Sequence, residues 1–107
     1  HHRPTIDRMV DLVRSTDGPT LEIGAGDGAL TLGLSSLGRE LLAVDIDGRH
    51  VDRLRRRLPS VDVRRADALQ IRLDRPVVVG NIPFHITTPV LRRLLATGEW
   101  QDAVLLT

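Results

Sequence analysis

Hydrophobic residues follow two spacings along the chain, and these spacings predict alternating helices and strands. Ile6, Met9, Val10 and Val13 lie at positions i, i+3, i+4 and i+7, which is typical of the apolar face of a helix. Short segments bounded by turn residues, several of them continuous apolar runs, predict strands instead. The predicted strands cover residues 20–23, 41–45, 61–64, 77–79 and 103–106.

Capping and helix-breaking residues set the predicted boundaries of the helices. Asp47 is a natural N-cap for a helix that Pro59 ends, and Thr88 is expected to cap a helix that begins at Pro89. Because strands alternate with helices, the pattern predicts an α/β domain with a doubly wound, mostly parallel sheet. Two further helices are predicted before Asp47, the first ending near Gly18 and Pro19 and the second, with Leu30, Leu34 and Leu37 on one face, ending at Gly38.

The composition excludes several classes of protein. The chain has 107 residues, 15 basic and 14 acidic groups, and no cysteine, which excludes a disulfide framework and a thiolate zinc site. Its apolar runs fall far short of the roughly 20 residues that a membrane-spanning helix needs. We therefore expect no membrane segment and no metal, and a reducing, cytoplasmic location.

All 15 basic residues are arginines, and seven of them lie between Arg49 and Arg65, against Asp52 and Asp62. The planar guanidinium group can donate two parallel hydrogen bonds to a phosphate. The segment could therefore contact nucleic acid, although a solvated helix face is the plainer interpretation. Aromatic residues are scarce, so a function that stacks on a base must use Phe84 or Trp100.

Four of the predicted strands carry residues at their carboxyl ends that packing alone does not explain. In a doubly wound sheet, ligands bind at the carboxyl ends of the strands, where these residues come together. They are Glu22 with the glycine loop Gly24-Ala25-Gly26-Asp27-Gly28, then Asp45, then Asp67, and finally Asn81-Ile82-Pro83-Phe84.

The glycine loop alone is compatible with more than one ligand. Gly24, Gly26 and Ala29 fit the loose dinucleotide pattern G-x-G-x-x-G/A, so a nicotinamide or flavin site is one possibility and a purely structural turn is another. Asp45 lies 21 residues after Gly24, where a carboxylate can accept hydrogen bonds from both ribose hydroxyls. Asp67 could accept from an exocyclic amine or could simply cap a loop.

The segment Asn81-Ile82-Pro83-Phe84 is the most informative of the four. It places an amide, a proline-fixed turn and a planar ring at the end of a strand, a combination that can hold a flat heterocycle carrying an amino group. A purely structural turn needs only the proline and leaves the phenylalanine unexplained. An oxidoreductase does not explain this segment either.

Four segments together resemble the successive motifs of the ribosomal RNA adenine N6-methyltransferases. They are EIGAGDGALT at 22–31, VDID at 44–47, ADAL at 66–69 and GNIPFHIT at 80–87. Phe84 makes the resemblance closest to the Erm-type 23S rRNA methyltransferases, which confer resistance to macrolides, lincosamides and streptogramin B. The related enzymes that act on small-subunit rRNA are the nearest alternative, and a non-catalytic RNA-binding relative is a more distant one.

The resemblance implies a Rossmann-like class I fold and S-adenosyl-L-methionine as the cofactor. It implies that Gly24 and Gly26 approach the methionine part of the cofactor, that Asp45 holds its ribose and that Asp67 accepts from its adenine amine. Asp45 departs from the glutamate usual at that position. Ile46 and Ala68 would flank the adenine ring.

The resemblance also implies which residues act on the substrate. Asn81, between cofactor and target base, and Ile82 would accept hydrogen bonds from the adenine N6, Pro83 would fix the turn, and Phe84 would stack on the base. The partner would be 23S rRNA, and a monomer is expected. Residues 1–107 would form the front part of the catalytic domain, without its last strands and without a helical RNA-binding domain, and would be inactive alone.

Overall fold

A computed structural model describes residues 2–106 and contains a five-stranded parallel sheet. The strands are β1 (Thr20–Ile23), β2 (Leu41–Asp45), β3 (Asp62–Arg65), β4 (Val77–Asn81) and β5 (Asp102–Leu106). Their order across the sheet is β3-β2-β1-β4-β5. The chain therefore builds the sheet outwards from β1 in one direction, and then crosses back to add β4 and β5 on the other side. This confirms the predicted doubly wound α/β fold.

Helices cover both faces of the sheet. They are α1 (Arg3–Arg14), α2 (Ala29–Ser35), α3 (Gly48–Arg57) and α4 (Thr87–Thr97). On one face, α1 and α2 pack on Leu41, Val77 and Val79, and α3 packs on Ala43 and Val63. The other face is covered by α4 and by the segment 66–73. The central strands are consequently buried on both sides, as expected for a parallel sheet.

Most sequence-predicted boundaries agree with the structure to within one or two residues. The strands at 20–23 and 41–45 have the predicted limits, and the predicted strand at 61–64 is shifted by one residue. The second helix ends at Ser35, before Leu37, which packs beside the core as a partly buried residue of the following turn.

The predicted start of the last helix was wrong. Thr88 does not cap α4, because a 3-10 turn at Phe84–Ile86 runs directly into a helix that begins at Thr87. The Ile86 N–H donates to the Pro83 carbonyl at 3.1 Å, which continues the winding through this point. Pro89 is the third residue of α4, where its missing N–H is still one of those without an intrahelical partner.

Within the described part of the chain, no helix combines the length and apolar character needed to cross a membrane.

Candidate functional site

A cavity of about 520 Å³ opens at the carboxyl ends of the strands. It lies where the strand order reverses between β1 and β4, the position at which doubly wound sheets bind their ligands. The cavity contains every candidate cofactor residue predicted from the sequence. Its lining residues are Gly24, Gly26, Asp45, Ile46, Asp47, His50, Ala66, Asp67, Ala68, Leu69, Asn81, Ile82, Pro83, His85 and Ile86.

The glycine loop brings its backbone close to the end of β4. Gly24 and Gly26 have φ angles of +73° and +57°, in the left-handed region that residues with side chains rarely adopt. A Cβ atom at Gly24 would lie 3.6 Å from the carbonyl oxygen of Asn81. The loop thus leaves its backbone exposed to the cavity while it lies against the segment predicted to hold the target base.

Asp45 ties the glycine loop to the end of β2. Its buried carboxylate accepts the Gly26 N–H at Oδ2 and the Asp47 N–H at Oδ1, each at 2.8 Å. The His50 Nδ1 lies 3.4 Å from Oδ1. Each carboxylate oxygen can accept about two hydrogen bonds, so Oδ2 keeps capacity for one further donor. One predicted ribose contact can therefore use Oδ2, and only a second one would compete with His50 for the remaining capacity of Oδ1.

Asp47 has the structural role that the sequence suggested. Its Oδ1 accepts the Arg49 N–H at 2.9 Å and caps α3. The side-chain hydrogen bond from Arg49 holds the pKa of Asp47 at about 2, well below its usual range. Asp47 therefore stays ionised at neutral pH, and it adds a negative charge beside Asp45 in the cavity wall.

The segment that follows β3 forms the opposite wall of the cavity. The Leu69 N–H donates to Asp67 Oδ1 at 2.8 Å, and among the described residues it is the only donor to this carboxylate. From α4, Arg93 donates to the Ala68 carbonyl at 2.6 Å. One oxygen of Asp67 thus shapes the loop, and the other keeps its capacity to accept from a ligand.

The predicted substrate segment turns sharply at the rim of the cavity. Ile82 is buried and its N–H donates to the Leu106 carbonyl at 2.9 Å, which anchors the turn to β5. Pro83 has φ −58° and ψ 142° and redirects the chain into the 3-10 turn. Phe84 is 85% exposed and lies outside the cavity lining. The structure therefore places Asn81, Ile82 and Pro83 in the cavity wall and leaves the Phe84 ring in solvent beside it.

Glu22 lies beneath the glycine loop and is almost fully buried. Thr31 in α2 donates its hydroxyl to Glu22 Oε1 at 2.6 Å. Burial raises the pKa of Glu22 to about 8, and the negative charges of Asp45 and Asp27 act in the same direction, although the Thr31 hydrogen bond opposes them. The Glu22 side chain is therefore largely protonated at neutral pH, which avoids a further negative charge beside the cavity.

The set of donors and acceptors in the cavity fits an adenosine-containing ligand. Apolar side chains on two walls can sandwich a flat ring, and the Asp45 and Asp67 carboxylates can accept from hydroxyl and amine groups. Among residues 2–106, no group of three or more histidines, aspartates or glutamates is placed to hold a metal ion.

Sequence reasoning assigned no role to two residues that shape the cavity. His50 reaches Asp45 from the first turns of α3, and Arg93 reaches Ala68 from α4. His50 had a usable signal, because it lies three residues after the N-cap Asp47 and so faces the end of β2. Arg93 had none, because its contact spans 25 residues and depends on how α4 packs.

Comparison with known proteins agrees with this geometry. The sequence profile of a family described as a methyltransferase domain matches residues 20–98. The chain is 46% identical over 105 residues to an rRNA adenine N-6-methyltransferase of Corynebacterium diphtheriae, covering 94% of this chain and 42% of that protein. It is 41% identical to the mycinamicin-resistance protein MyrB of Micromonospora griseorubida, over 97% of this chain and 35% of that protein.

Solved structures give the same result. The fold matches the 23S rRNA methyltransferase ErmE with a TM-score of 0.85 and 31% identity, over 98% of this chain and 46% of that one. It matches a dimethyladenosine transferase from Plasmodium falciparum with the same TM-score and 26% identity, over 97% of this chain and 41% of that one. The chain thus spans less than half the length of these proteins. Because the family profile covers most of the chain, the chain belongs to the methyltransferase domain family.

Proposed function

We propose that this chain carries the cofactor site of an S-adenosyl-L-methionine-dependent enzyme that methylates the N6 amine of an adenine in 23S rRNA. The observation that carries the proposal is the single cavity that gathers Gly24, Gly26, Asp45, Asp67 and Asn81 from four separate strand ends. Packing alone gives no reason for two carboxylates and an amide to meet there.

Different walls of the cavity are proposed to bind different parts of the cofactor. Gly24 and Gly26 offer a close backbone approach to its methionine part, and Asp45 offers the remaining capacity of Oδ2 to a ribose hydroxyl. Asp67 faces the adenine amine, with Ile46 and Ala68 on either side of the ring. Bound S-adenosylmethionine supplies a methyl group on a positively charged sulfur, which is already a strong electrophile.

The remaining task for the protein is to position and improve the nucleophile. An aromatic amine delocalises its lone pair into the ring and attacks poorly. If the Asn81 side-chain oxygen and the Ile82 carbonyl accept hydrogen bonds from the two N6–H groups, the lone pair is directed away from the ring and towards the methyl group. Transfer would form the N6–carbon bond, break the carbon–sulfur bond to release S-adenosylhomocysteine, and pass one N6 proton to solvent. Positioning of this kind can contribute roughly 7 to 11 kcal/mol. The burial of Ile82 and its hydrogen bond to Leu106 support this role, because they fix the turn that carries both acceptors.

Phe84 completes the proposed substrate site. A ring that is 85% exposed beside the cavity is available to stack on an extruded base. Base stacking on an aromatic side chain contributes about 1 to 3 kcal/mol. Phe84 is therefore proposed to hold the adenine while Asn81 and Ile82 bind its amine.

The choice of RNA rests on the relatives. The match to ErmE and to a mycinamicin-resistance protein supports 23S rRNA as the substrate and macrolide-lincosamide-streptogramin B resistance as the outcome. A relative from Methanopyrus kandleri, named a probable ribosomal RNA small subunit methyltransferase A and 40% identical over 84 residues, supports small-subunit rRNA as the second candidate. An rRNA substrate fits a cytoplasmic enzyme, and we expect it to act as a monomer.

Two single substitutions test the two halves of the site. Asp45→Ala should weaken binding of S-adenosylhomocysteine, measured by calorimetry, about tenfold or more because a charged hydrogen-bond acceptor is lost. Phe84→Ala should leave that affinity unchanged but weaken binding of an RNA oligonucleotide with an unpaired adenosine about tenfold. Equal losses of both affinities in either variant would contradict the division of roles.

A ligand comparison tests the cofactor itself. S-adenosylmethionine should raise the melting temperature of the chain, whereas a nicotinamide dinucleotide should not. Stabilisation by the dinucleotide alone would make the chain an oxidoreductase domain and overturn the proposal.

A further inference from the structure

Charge is distributed very unevenly along this nearly neutral chain. Residues 49–65 hold seven arginines and two aspartates, a net charge of +5, whereas the rest of the chain holds eight arginines and twelve acidic groups, a net charge of −4. Like charges concentrated on one segment repel one another and disfavour the folded state. The cofactor cavity does not require this concentration.

Most of these arginines share one face of α3. Arg49, Arg53, Arg56 and Arg57 lie at positions i, i+4, i+7 and i+8, opposite the buried face of the helix that Val51 and Leu54 form. All of them are exposed. The guanidinium groups therefore form a continuous surface along the solvent side of the helix.

Arg55 and Arg65 extend this surface to the edge of the sheet. Arg55 donates from α3 to the Val63 carbonyl at 2.8 Å, and Arg65 donates from β3 to the Ile46 carbonyl at 3.1 Å. We call Arg53, Arg55, Arg56, Arg57 and Arg65 the arginine surface. Arg49 is left out because it pairs with Asp47.

The arginine surface lacks compensating carboxylates. Arg49 pairs with Asp47 and Arg64 pairs with Asp62. In the described part of the chain, no carboxylate lies within ion-pair distance of the five arginines of the surface. Arg55 and Arg65 each donate a hydrogen bond to a backbone carbonyl, which carries no net charge. Their positive charges therefore stay uncompensated.

The arginine surface reaches the mouth of the cofactor cavity. Arg65 bonds the carbonyl of Ile46, and Ile46 and His50 line the cavity on this side. Pro83 and His85, next to the exposed Phe84, line it on the other side. A strand that places a base beside Phe84 and continues across the mouth of the cavity would meet the arginine surface.

We propose that the arginine surface binds the phosphate backbone of the RNA that adjoins the target adenosine. This inference rests on the proposed function, because it takes the substrate to be RNA. Guanidinium groups bind phosphate through paired, charge-assisted hydrogen bonds, and a row of them matches the repeated charge of a nucleic-acid backbone. The surface adds affinity and orients the strand, and Phe84 selects the base.

The test removes two charges from this surface and compares them with two charges removed elsewhere. The test variant is Arg53→Gln with Arg56→Gln, and the control variant is Arg8→Gln with Arg72→Gln, which removes two exposed arginines outside the surface. Binding of a fluorescent RNA hairpin transcribed from 23S rRNA is measured by anisotropy at several salt concentrations. Binding of S-adenosylhomocysteine is measured by calorimetry in parallel.

The test variant should bind the hairpin about tenfold more weakly at low salt. The slope of log affinity against log salt should become shallower by about 1.4 to 1.8, because each of two phosphate contacts contributes about 0.7 in a single strand and about 0.9 in a duplex. The control variant should show neither change, and both should bind S-adenosylhomocysteine as the unmodified chain does.

Two results would overturn the inference. One is an unchanged salt slope for hairpin binding in the test variant. This holds even if binding of an acidic polypeptide such as polyglutamate, measured in the same way, becomes weaker. The other is an equal change of slope in the control variant, which would mean that RNA senses only the net charge. Failure of the proposed function is distinguishable from both, because it appears as loss of S-adenosylhomocysteine binding by the unmodified chain.

Discussion

At the scale of single residues, Glu22 links the packing of the core to the charge of the site. Its carboxyl lies between β1 and α2, accepts the Thr31 hydroxyl and is shielded from solvent. An ionised group there would be costly, so the buried side chain keeps its proton up to a pKa of about 8. The protonated carboxyl therefore adds no negative charge next to Asp45 and the glycine loop.

This buried carboxyl predicts how stability depends on pH. In the folded chain the pKa of Glu22 is raised from 4.5 to about 8, so between these values the unfolded chain releases a proton that the folded chain keeps. The free energy of unfolding should fall as pH rises, by about 3 kcal/mol between pH 4.5 and pH 7. In Glu22→Gln, which keeps an acceptor for Thr31 but cannot ionise, this decrease should be absent.

Urea unfolding of both proteins at a series of pH values measures the effect. Glu40→Gln is the matched control, because Glu40 is an exposed carboxylate and its substitution should leave the pH profile of the original chain unchanged. Parallel profiles for the chain and its Glu22→Gln variant would show that Glu22 titrates normally in the fold.

At the scale of elements, the start of α3 depends on one side chain. Asp47 caps the helix through its hydrogen bond to the Arg49 N–H. Asp47→Ala should lower the free energy of unfolding by about 1 kcal/mol, because the N–H groups at the helix start lose their acceptor. Asp47→Asn keeps an acceptor oxygen and should lose clearly less. Equal losses in the two variants, measured by urea unfolding, would assign the effect to charge or packing and not to capping.

The sequence predicted elements well where a single local cause sets their limits. β1 and β2 are short segments between clear turn residues, and Asp47 is a strong cap, so their positions could be read directly. The start of α4 could not be read in this way. Thr88 and Pro89 form a good local signal for a helix start, but the observed N-cap is Ile86, two residues before Thr88. Hydrogen bonds to the Pro83 and Phe84 carbonyls decide between them, and these depend on the preceding turn.

The same distinction applies to the site. The candidate residues could be placed at one edge because parallel strands end together, and the cavity gathers all the predicted cofactor residues, whereas Phe84 lies outside its lining. Their roles remain predictions. The contact from Arg93 to Ala68 arises from helix packing, which the spacing of residues does not determine.

At the scale of the whole molecule, we expect cofactor binding and methyl transfer to separate. The chain contains all the predicted cofactor residues but spans less than half the length of the relatives that it matches. It should bind S-adenosylhomocysteine in calorimetry, yet transfer little tritium-labelled methyl to unmodified 23S rRNA, because the proposed RNA contacts of these residues, Phe84 and the arginine surface, cover only a small part of a structured RNA. Robust methylation by the 107-residue chain would contradict this expectation.

The strand order also governs when the cavity can form. Thr20 pairs with Leu41 on one side of β1, but with Val77, 57 positions further along the chain, on the other. Contacts between distant positions form slowly, because a long loop must close before the strands can pair. The glycine loop and Asp45 can come together on nearby contacts, whereas Asn81 reaches them only when β4 joins β1. We therefore expect completion of the cavity to be a late event of folding, and the cofactor to stabilise only the product of that event.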